Sequence, residues 1–291
     1  MALYSTTFSE LIERVYRLVG DWAEGTATGG STTTIIDTTN RLEQDDYWND
    51  LNAFAWVHDG AAAGDWRKVT DFANSSATLT VPTMTSTGVA ATNTYSLHSM
   101  FTIDEVKKAI NMAIDQVAGE CLEHELDQAT ITLAASTYEY ALPSDCLVLY
   151  GVTQANAAGT WGSEDRVPAD EWRILKDGSP KLHLIRYPEA LKFEGHFTQN
   201  LFADSFTAGR VLQLEYLKRA TALSALTDTT FISPAYLMFQ AAAFLHISTV
   251  RRPDNEPEDH RTQYDVLQKA ANIERQRVVS TKLPMNSKKV Y

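Results

Sequence analysis

Hydrophobic and polar positions along this chain switch between two periods, and the switches mark its organisation. In TTFSELIERVYRLVGDW, Phe8, Leu11, Ile12, Val15, Leu18, Val19 and Trp22 recur on one face at helical spacing. Thr7 and Glu10 have the spacing of a capping box, in which the threonine hydroxyl accepts one orphan N–H and the glutamate reaches back to another. Gly25 and the pair Gly29-Gly30 then end the helical pattern. From about residue 26 to residue 100 the runs are short: TTTIID, AFAWVHDG, DWRKVTDF, SATLTVP and NTYSLHSM, rich in Thr, Val, Ile and aromatics. Asn74, Ser75 and Ser76 supply a hairpin turn between two of them. This segment predicts a small antiparallel β domain, a sandwich or a barrel.

Helical spacing returns in TIDEVKKAINMAIDQVAGECLEHEL. Thr102 and Glu105 form a second capping-box pair, and Val106, Ile110, Ala113, Ile114, Val117 and Cys121 make a buried stripe. Strand-like runs follow: ATITLA, STYEYALPSDCLVLYGV, and DEWRILKDGSPKLHLIRYP with a hairpin turn at Asp177-Gly178. In LKFEGHFTQ, Leu191, Phe193 and Phe197 alternate with Lys192, Glu194 and His196, the period of a half-buried strand. RVLQLEYLKRA has similar character.

The densest apolar run is SPAYLMFQAAAFLHISTVRR. Across 234–250, only Gln240, His246, Ser248 and Thr249 are clearly polar. A membrane span needs about 20 predominantly apolar residues, and this run has 17. Gln240 and His246 interrupt it, and it lacks aromatic and basic flanks at both ends, so no membrane span is expected. It is also too apolar all round for a helix with one wet face, and is expected at the centre of a helical core. Ser233 suits the N-cap and Pro234 the first helical position, while Arg251, Arg252 and Pro253 end the helix. A last helix at about 256–279 carries Tyr264, Leu267, Ala271, Glu274 and Val278 along one face.

Together these patterns predict an α+β fold: a helical-bundle core domain with inserted antiparallel β modules, including a small β-sandwich or barrel. Residues 1–25 and 101–126 are expected to give helices of the core, 26–100 an inserted β domain, 127–220 a β block and 221–279 long core helices. Residues 280–291, STKLPMNSKKVY, carry three lysines and no acidic side chain, and are expected as an extended tail.

Composition narrows the function. The chain has 291 residues, enough for roughly two domains, and a formal net charge of -12. That charge works against gripping a phosphate backbone, although an acidic wall can let DNA slide past. Cys121 and Cys146 read as buried thiols rather than a disulfide, and without a CxxC or paired histidines they make no zinc site. MALYSTTFSELIERVYR lacks a basic stretch followed by an apolar one, so no signal peptide is expected.

No catalytic constellation stands out. GAAAG at 60–64 is followed by Asp65 where a phosphate loop needs lysine. In ECLEHELD, the residues Glu120, Glu123, His124, Glu125 and Asp127 are metal ligands by type, and on a helix Glu120, Glu123, His124 and Asp127 would share a face. Gln128 occupies the place of the second histidine of HExxH, and the stretch reads as a solvated acidic helix end. Trp48, Trp56 and Trp66 could stack on sugars, but a small β core needs the same residues. No enzyme, cofactor or metal site is expected.

The order STYEYALPSDCLVLYGV, VPADEWRILKDGSPKLHLIRYP and VLQLEYLKRATALSALTDTTFISPAYLMFQAAAFLHIS resembles the head-to-tail adaptor (connector) proteins of tailed bacteriophages. LEYLKRA, TDTT, the SPAYL helix start and the helix EVKKAINMAIDQVAGE carry most of the likeness, and the 26–100 segment looks like small β modules of phage virion proteins. The resemblance implies a structural virion protein at the head–tail interface, assembled in the host cytoplasm as a homo-oligomeric ring, usually a dodecamer. Such a ring docks beneath the portal protein, extends the DNA channel with only passive contact to double-stranded DNA, and offers a surface to tail or neck proteins. It further implies a portal-gripping tail, with Lys282, Lys288, Lys289 and Tyr291 as the candidate contacts. A tail-completion or tail-tube component, or a glycan-binding virion module using the β insert, is the alternative.

Overall fold

The computed structural model describes residues 6–84, 88–162, 165–176, 178–185, 206–250, 257–277 and 288–289. Among these residues the fold is mixed α/β, with five α-helices and several antiparallel sheets, none closed into a barrel. The chain forms two compact units, Met1–Val117 with Thr221–Val279, and Ala118–Ala220 with Ser280–Tyr291.

In the first unit, helix α1 spans Phe8–Val19. Its capping box is complete: Glu10 N–H donates to Thr7 Oγ1 at 3.3 Å, and Thr7 N–H donates to Glu10 Oε2 at 3.1 Å. Gly20 ends it in the left-handed region at φ 77°, where glycine escapes the Cβ penalty. Phe8, Leu11, Ile12, Val15 and Tyr16 are buried. Helix α2, Tyr47–Asp50, is one turn inside the β segment, and α3 covers Ile103–Val117. Thr102 and Glu105 cap α3 reciprocally, and Val106, Ile110, Ala113, Ile114 and Val117 are all buried.

The apolar run forms α4, Pro234–Thr249, and α5 spans Pro257–Arg277. Helix α4 packs against α1, α3 and α5, so it has core on several sides at once. That explains its all-round apolar surface: burying a leucine such as Leu237 contributes about 1.5–3 kcal/mol. Its polar members are satisfied in place. Gln240 and Gln268 exchange two amide hydrogen bonds at 3.1 and 3.0 Å, and His246 Nδ1 lies 2.9 Å from His260 Nδ1. Ser233 stands at the N-cap, but its hydroxyl makes no capping bond; Pro234 at the first turn removes one donor that would have needed it. No described helix is long and apolar enough to cross a membrane.

Between α1 and α3 lie two four-stranded antiparallel sheets. One is ordered Ala23–Thr26, Thr94–His98, Phe54–Val57, Trp66–Lys68; the other Gly29–Gly30, Thr34–Ile36, Thr78–Thr80, Asp71–Ala73. Ile35, Phe72 and Leu79 from one sheet meet Ala55, Val57, Tyr95 and Leu97 from the other in a single hydrophobic cluster. Asn74–Ser76 makes the turn between Asp71–Ala73 and Thr78–Thr80. Arg41, 4% exposed, donates from Nε to Tyr95 Oη at 2.8 Å, and Tyr95 donates to Asp37 Oδ2 at 2.9 Å. This network leaves no room beside Gly25, where a Cβ would come within 2.6 Å of both Asp37 and Tyr95.

In the second unit a four-stranded sheet runs Leu122–Thr132, Val211–Arg219, Val148–Gln154, Lys288–Lys289. A three-stranded sheet, Glu139–Ala141, Lys181–Leu184, Trp172–Leu175, shares a core with it that includes Leu149, Val152, Trp172, Leu182, Leu212 and Leu214. Trp172–Leu175 and Lys181–Leu184 form the expected hairpin, with Gly178 at φ 74° in its loop; Asp177 and the run at 191–199 lie outside the described residues.

The expected helix over 101–126 ends early. Helix α3 stops at Val117, with Gly119 two residues on, and from Leu122 the chain is an eleven-residue strand. Its ladder with Val211–Arg219 runs from Leu122↔Arg219 to Asp127↔Leu214 before a bulge. Cys121 therefore lies beyond the helix rather than on its apolar face. Both cysteines are buried and neither is in a disulfide. Burial and the neighbouring Asp145 push the Cys146 thiol up to about 12, which makes it a poor thiolate source.

Candidate docking site at the C-terminal strand

Of the tail residues singled out from the sequence, the structure describes two. Lys288 pairs with Leu149 and Lys289 with Val148, antiparallel, on the outer edge of Val148–Gln154. Lys282, Tyr291 and the Lys289 side chain lie outside the described residues.

The side chain of Lys288 is half-buried. Its Nζ sits 3.9 Å from the centroid of the Trp172 ring and donates to the backbone carbonyls of Ala169 and Trp172. An ammonium over an indole face is attracted by the ring quadrupole, and the two carbonyl dipoles add to it. Burial lowers the Lys288 pKa, while the charge of Asp170 pulls it back up.

Other parts of the chain build the seat for this ammonium. Trp172, 1% exposed, is fixed by its ladder position opposite Leu184. The turn that aims the carbonyls is closed by Glu171 N–H to Pro168 O at 3.0 Å and by Ile185 N–H to Glu171 O at 2.7 Å. Beside it lies a cleft of about 470 Å³ lined by Tyr150, Gly151, Arg166, Val167, Pro168, Ala169 and Trp172. Arg166 Nη2 donates to Tyr150 O and pairs with Glu215 Oε2, both at 3.3 Å. The pair needs the space at Gly151, where a Cβ would lie 2.3 Å from Glu215 Oε2.

The acidic cluster has a different geometry from the helical face expected of it. On the strand Leu122–Thr132, Glu123, Glu125 and Asp127 alternate with His124, so the helical grouping of Glu120, Glu123, His124 and Asp127 does not form. Lys218 on the neighbouring strand lies 2.6 Å from Glu125 and 4.0 Å from Glu123. His124 Nδ1 lies 3.1 Å from Tyr150 Oη. Among the described residues, no group of three or more His, Cys, Asp or Glu side chains is placed to hold a metal ion. Trp48 and Trp56 are buried at 7% and 2% exposure, so neither offers a sugar an open face; Trp66 is partly exposed and lies against Phe54.

Sequence reasoning missed a second polar centre, in the first unit. His58 Nε2 lies 2.8 Å from Ser96 Oγ, Ser96 Oγ lies 2.7 Å from His98 Nε2, and His98 Nδ1 lies 2.6 Å from Asp21 O. Because a carbonyl only accepts, His98 Nδ1 carries the proton, and the chain of donation runs His58 to Ser96 to His98 to Asp21. Ser96 and His98 are 0% and 2% exposed, which excludes a solvent-borne substrate from the hydroxyl. Burial drives His98 down to about 3 and lowers His58 as well. The Asp21 carboxylate accepts from Ser99, Met100 and Phe101 N–H; burial raises its pKa against those bonds. The centre ties the end of α1 to the start of α3. The alternation in NTYSLH puts Ser96 and His98 on one strand face, the only trace of this arrangement in the sequence.

No protein-family model matches this chain, and no curated protein matches it.

Proposed function

We propose that this chain is a structural virion protein, a head-to-tail adaptor whose ring docks beneath a portal, extends the DNA channel and offers a surface to the tail. The observation that carries the reading is the serial order of the short runs resembling that family, several of which coincide with a helix or strand. EVKKAINMAIDQVAGE supplies most of α3, CLVLYGV the strand Val148–Gln154, LEYLKRA the strand Val211–Arg219, and SPAYL the start of α4. We read α1, α3, α4 and α5 as the bundle of the ring body, and the two sheets between α1 and α3 as a sandwich module carried on it.

Two further features support a ring subunit. Helix α5 leaves Val266 and Ile273 57% and 53% exposed, seven residues apart and so on one face, as a subunit contact would need. The net charge of -12 suits a wall that DNA slides along. In this reading Lys282, Lys289 and Tyr291 are the portal contacts, and Lys288 joins them only by leaving its seat at Trp172.

The test is the mass of the purified protein, alone and mixed with the portal protein of the same genome, by light scattering with electron microscopy of any large species. A ring stacked on the portal is the expected outcome. A protein that ignores the portal, or closes alone into a six-fold ring, overturns the adaptor reading, the latter in favour of a tail component.

A further inference from the structure

The contact made by Lys288 has an unusual economy. Two consecutive residues supply the ladder pairs Leu149↔Lys288 and Val148↔Lys289, and one ammonium supplies the anchor. The seat belongs wholly to other segments, and its parts are held by bonds that do not involve the tail. Further along the same edge the chain blocks its own sheet: Val167 N–H donates to Val152 O at 2.8 Å, and Arg166 bridges to Thr153. Among the described residues, the tail pairs on this edge in a slot at Val148 and Leu149, with the face of Trp172 and the carbonyls of Ala169 and Trp172 at its side.

We propose that this slot is a receptor for a lysine-bearing extended segment, and that besides its own Lys288 it accepts the C-terminal segment of a second copy of the chain. Strand addition supplies main-chain hydrogen bonds, and the ammonium seat supplies selection for lysine at one position. A methionine there keeps the length but loses the ammonium's donation to both carbonyls. Arginine is a poor substitute, because its planar fork does not match a compact seat built for a single nitrogen. Burial disfavours the bare ammonium, and the charge of Asp170 offsets part of that cost. Each described contact of the resident Lys288 and Lys289 can be made by the same residues of another copy, so exchange replaces like with like.

The experiment uses the full chain with Lys288→Ala, which leaves the slot without its key, and a fluorescent peptide of residues 285–291, MNSKKVY, followed by anisotropy. The peptide is expected to bind this chain saturably, and at least ten-fold more weakly to the wild-type chain, whose slot is filled. A peptide carrying Lys288→Met is expected to lose at least ten-fold. Amide exchange along the Val148–Leu149 edge is expected to slow at the N–H that faces the added strand when the lysine peptide binds. No saturable binding, equal binding of the methionine peptide, or binding that leaves that amide unchanged would each overturn the proposal.

Discussion

The two polar centres of this molecule solve opposite problems. The His58–Ser96–His98 chain lies inside the first unit and stays neutral: burial holds His98 far below the ordinary histidine range, and each donor has one acceptor in line. The Lys288 ammonium lies half-buried in the second unit and is offered carbonyl oxygens and an aromatic face. The first centre joins elements the fold has already brought together, so it belongs to the permanent core. Among the described residues, the second fastens the end of the chain through one side chain and two ladder pairs, so it is the part built to be exchanged. A buried neutral network resists opening because each broken bond leaves an orphaned group, whereas a rim ammonium that leaves its seat recovers water.

The largest expected effect lies in the helical core of the first unit. Leu237→Ala in α4, a fully buried position with helices on several sides, is expected to cost about 2–5 kcal/mol. Urea unfolding would read it, and a loss below 1 kcal/mol would mean that α4 is not the centre of its core.

Acid comes next. An unfolded histidine takes its proton at about pH 6.5, whereas folded His98 waits until about 3, so the unfolded chain binds protons first as pH falls. The stability present above pH 6.5 is therefore lost down to about pH 3, by at most about 1.4 kcal/mol per pH unit from this group. His58 acts in the same sense, and the raised pKa of Asp21 works against both at the acid end. His98→Gln should flatten the slope while lowering stability at neutral pH; an unchanged slope in urea midpoints against pH would remove His98 from the account.

Gly25→Ala drives a methyl into Asp37 and Tyr95 and is expected to cost about 1–3 kcal/mol. Its mark should be a weakened Arg41–Tyr95–Asp37 network, visible as faster exchange of the Asn40 amide, which Asp37 accepts at 2.9 Å. The smallest effect belongs to the exchangeable centre. Lys288→Ala is expected to shift global stability by no more than about 1 kcal/mol. It should nevertheless speed amide exchange at the N–H of the Val148–Leu149 edge that faces the tail. A cost as large as that of Leu237→Ala would show that the tail is part of the core and would erase the contrast.

How much of this was legible in advance differs by element. Helix α1 could be read because its face repeats at three and four residues and both capping partners are local. Helix α4 could be located, and its central place inferred, because a run apolar on every side needs cover on every side. The stretch from Glu120 to Asp127 misled for a physical reason: its acidic residues fit helical spacing as well as strand spacing, and Lys218 and the rest of the ladder that decide between them lie some ninety residues away in sequence. Trp172 gave no sign that its face would hold a lysine from residue 288.

By itself the sequence determined where helices begin, which faces are apolar, where turns fall, and that the last twelve residues are basic in an acidic chain. These properties are set within a few residues by backbone sterics, local hydrogen bonds and side-chain hydrophobicity. Only the tertiary structure decided that Ser96 stands between two histidines, that the acidic stretch is a strand, and that Lys288 is seated against Trp172. Each of those depends on groups far apart in the chain arriving within about 3–4 Å of one another, and at that range geometry and desolvation, rather than residue type, set what a polar side chain does.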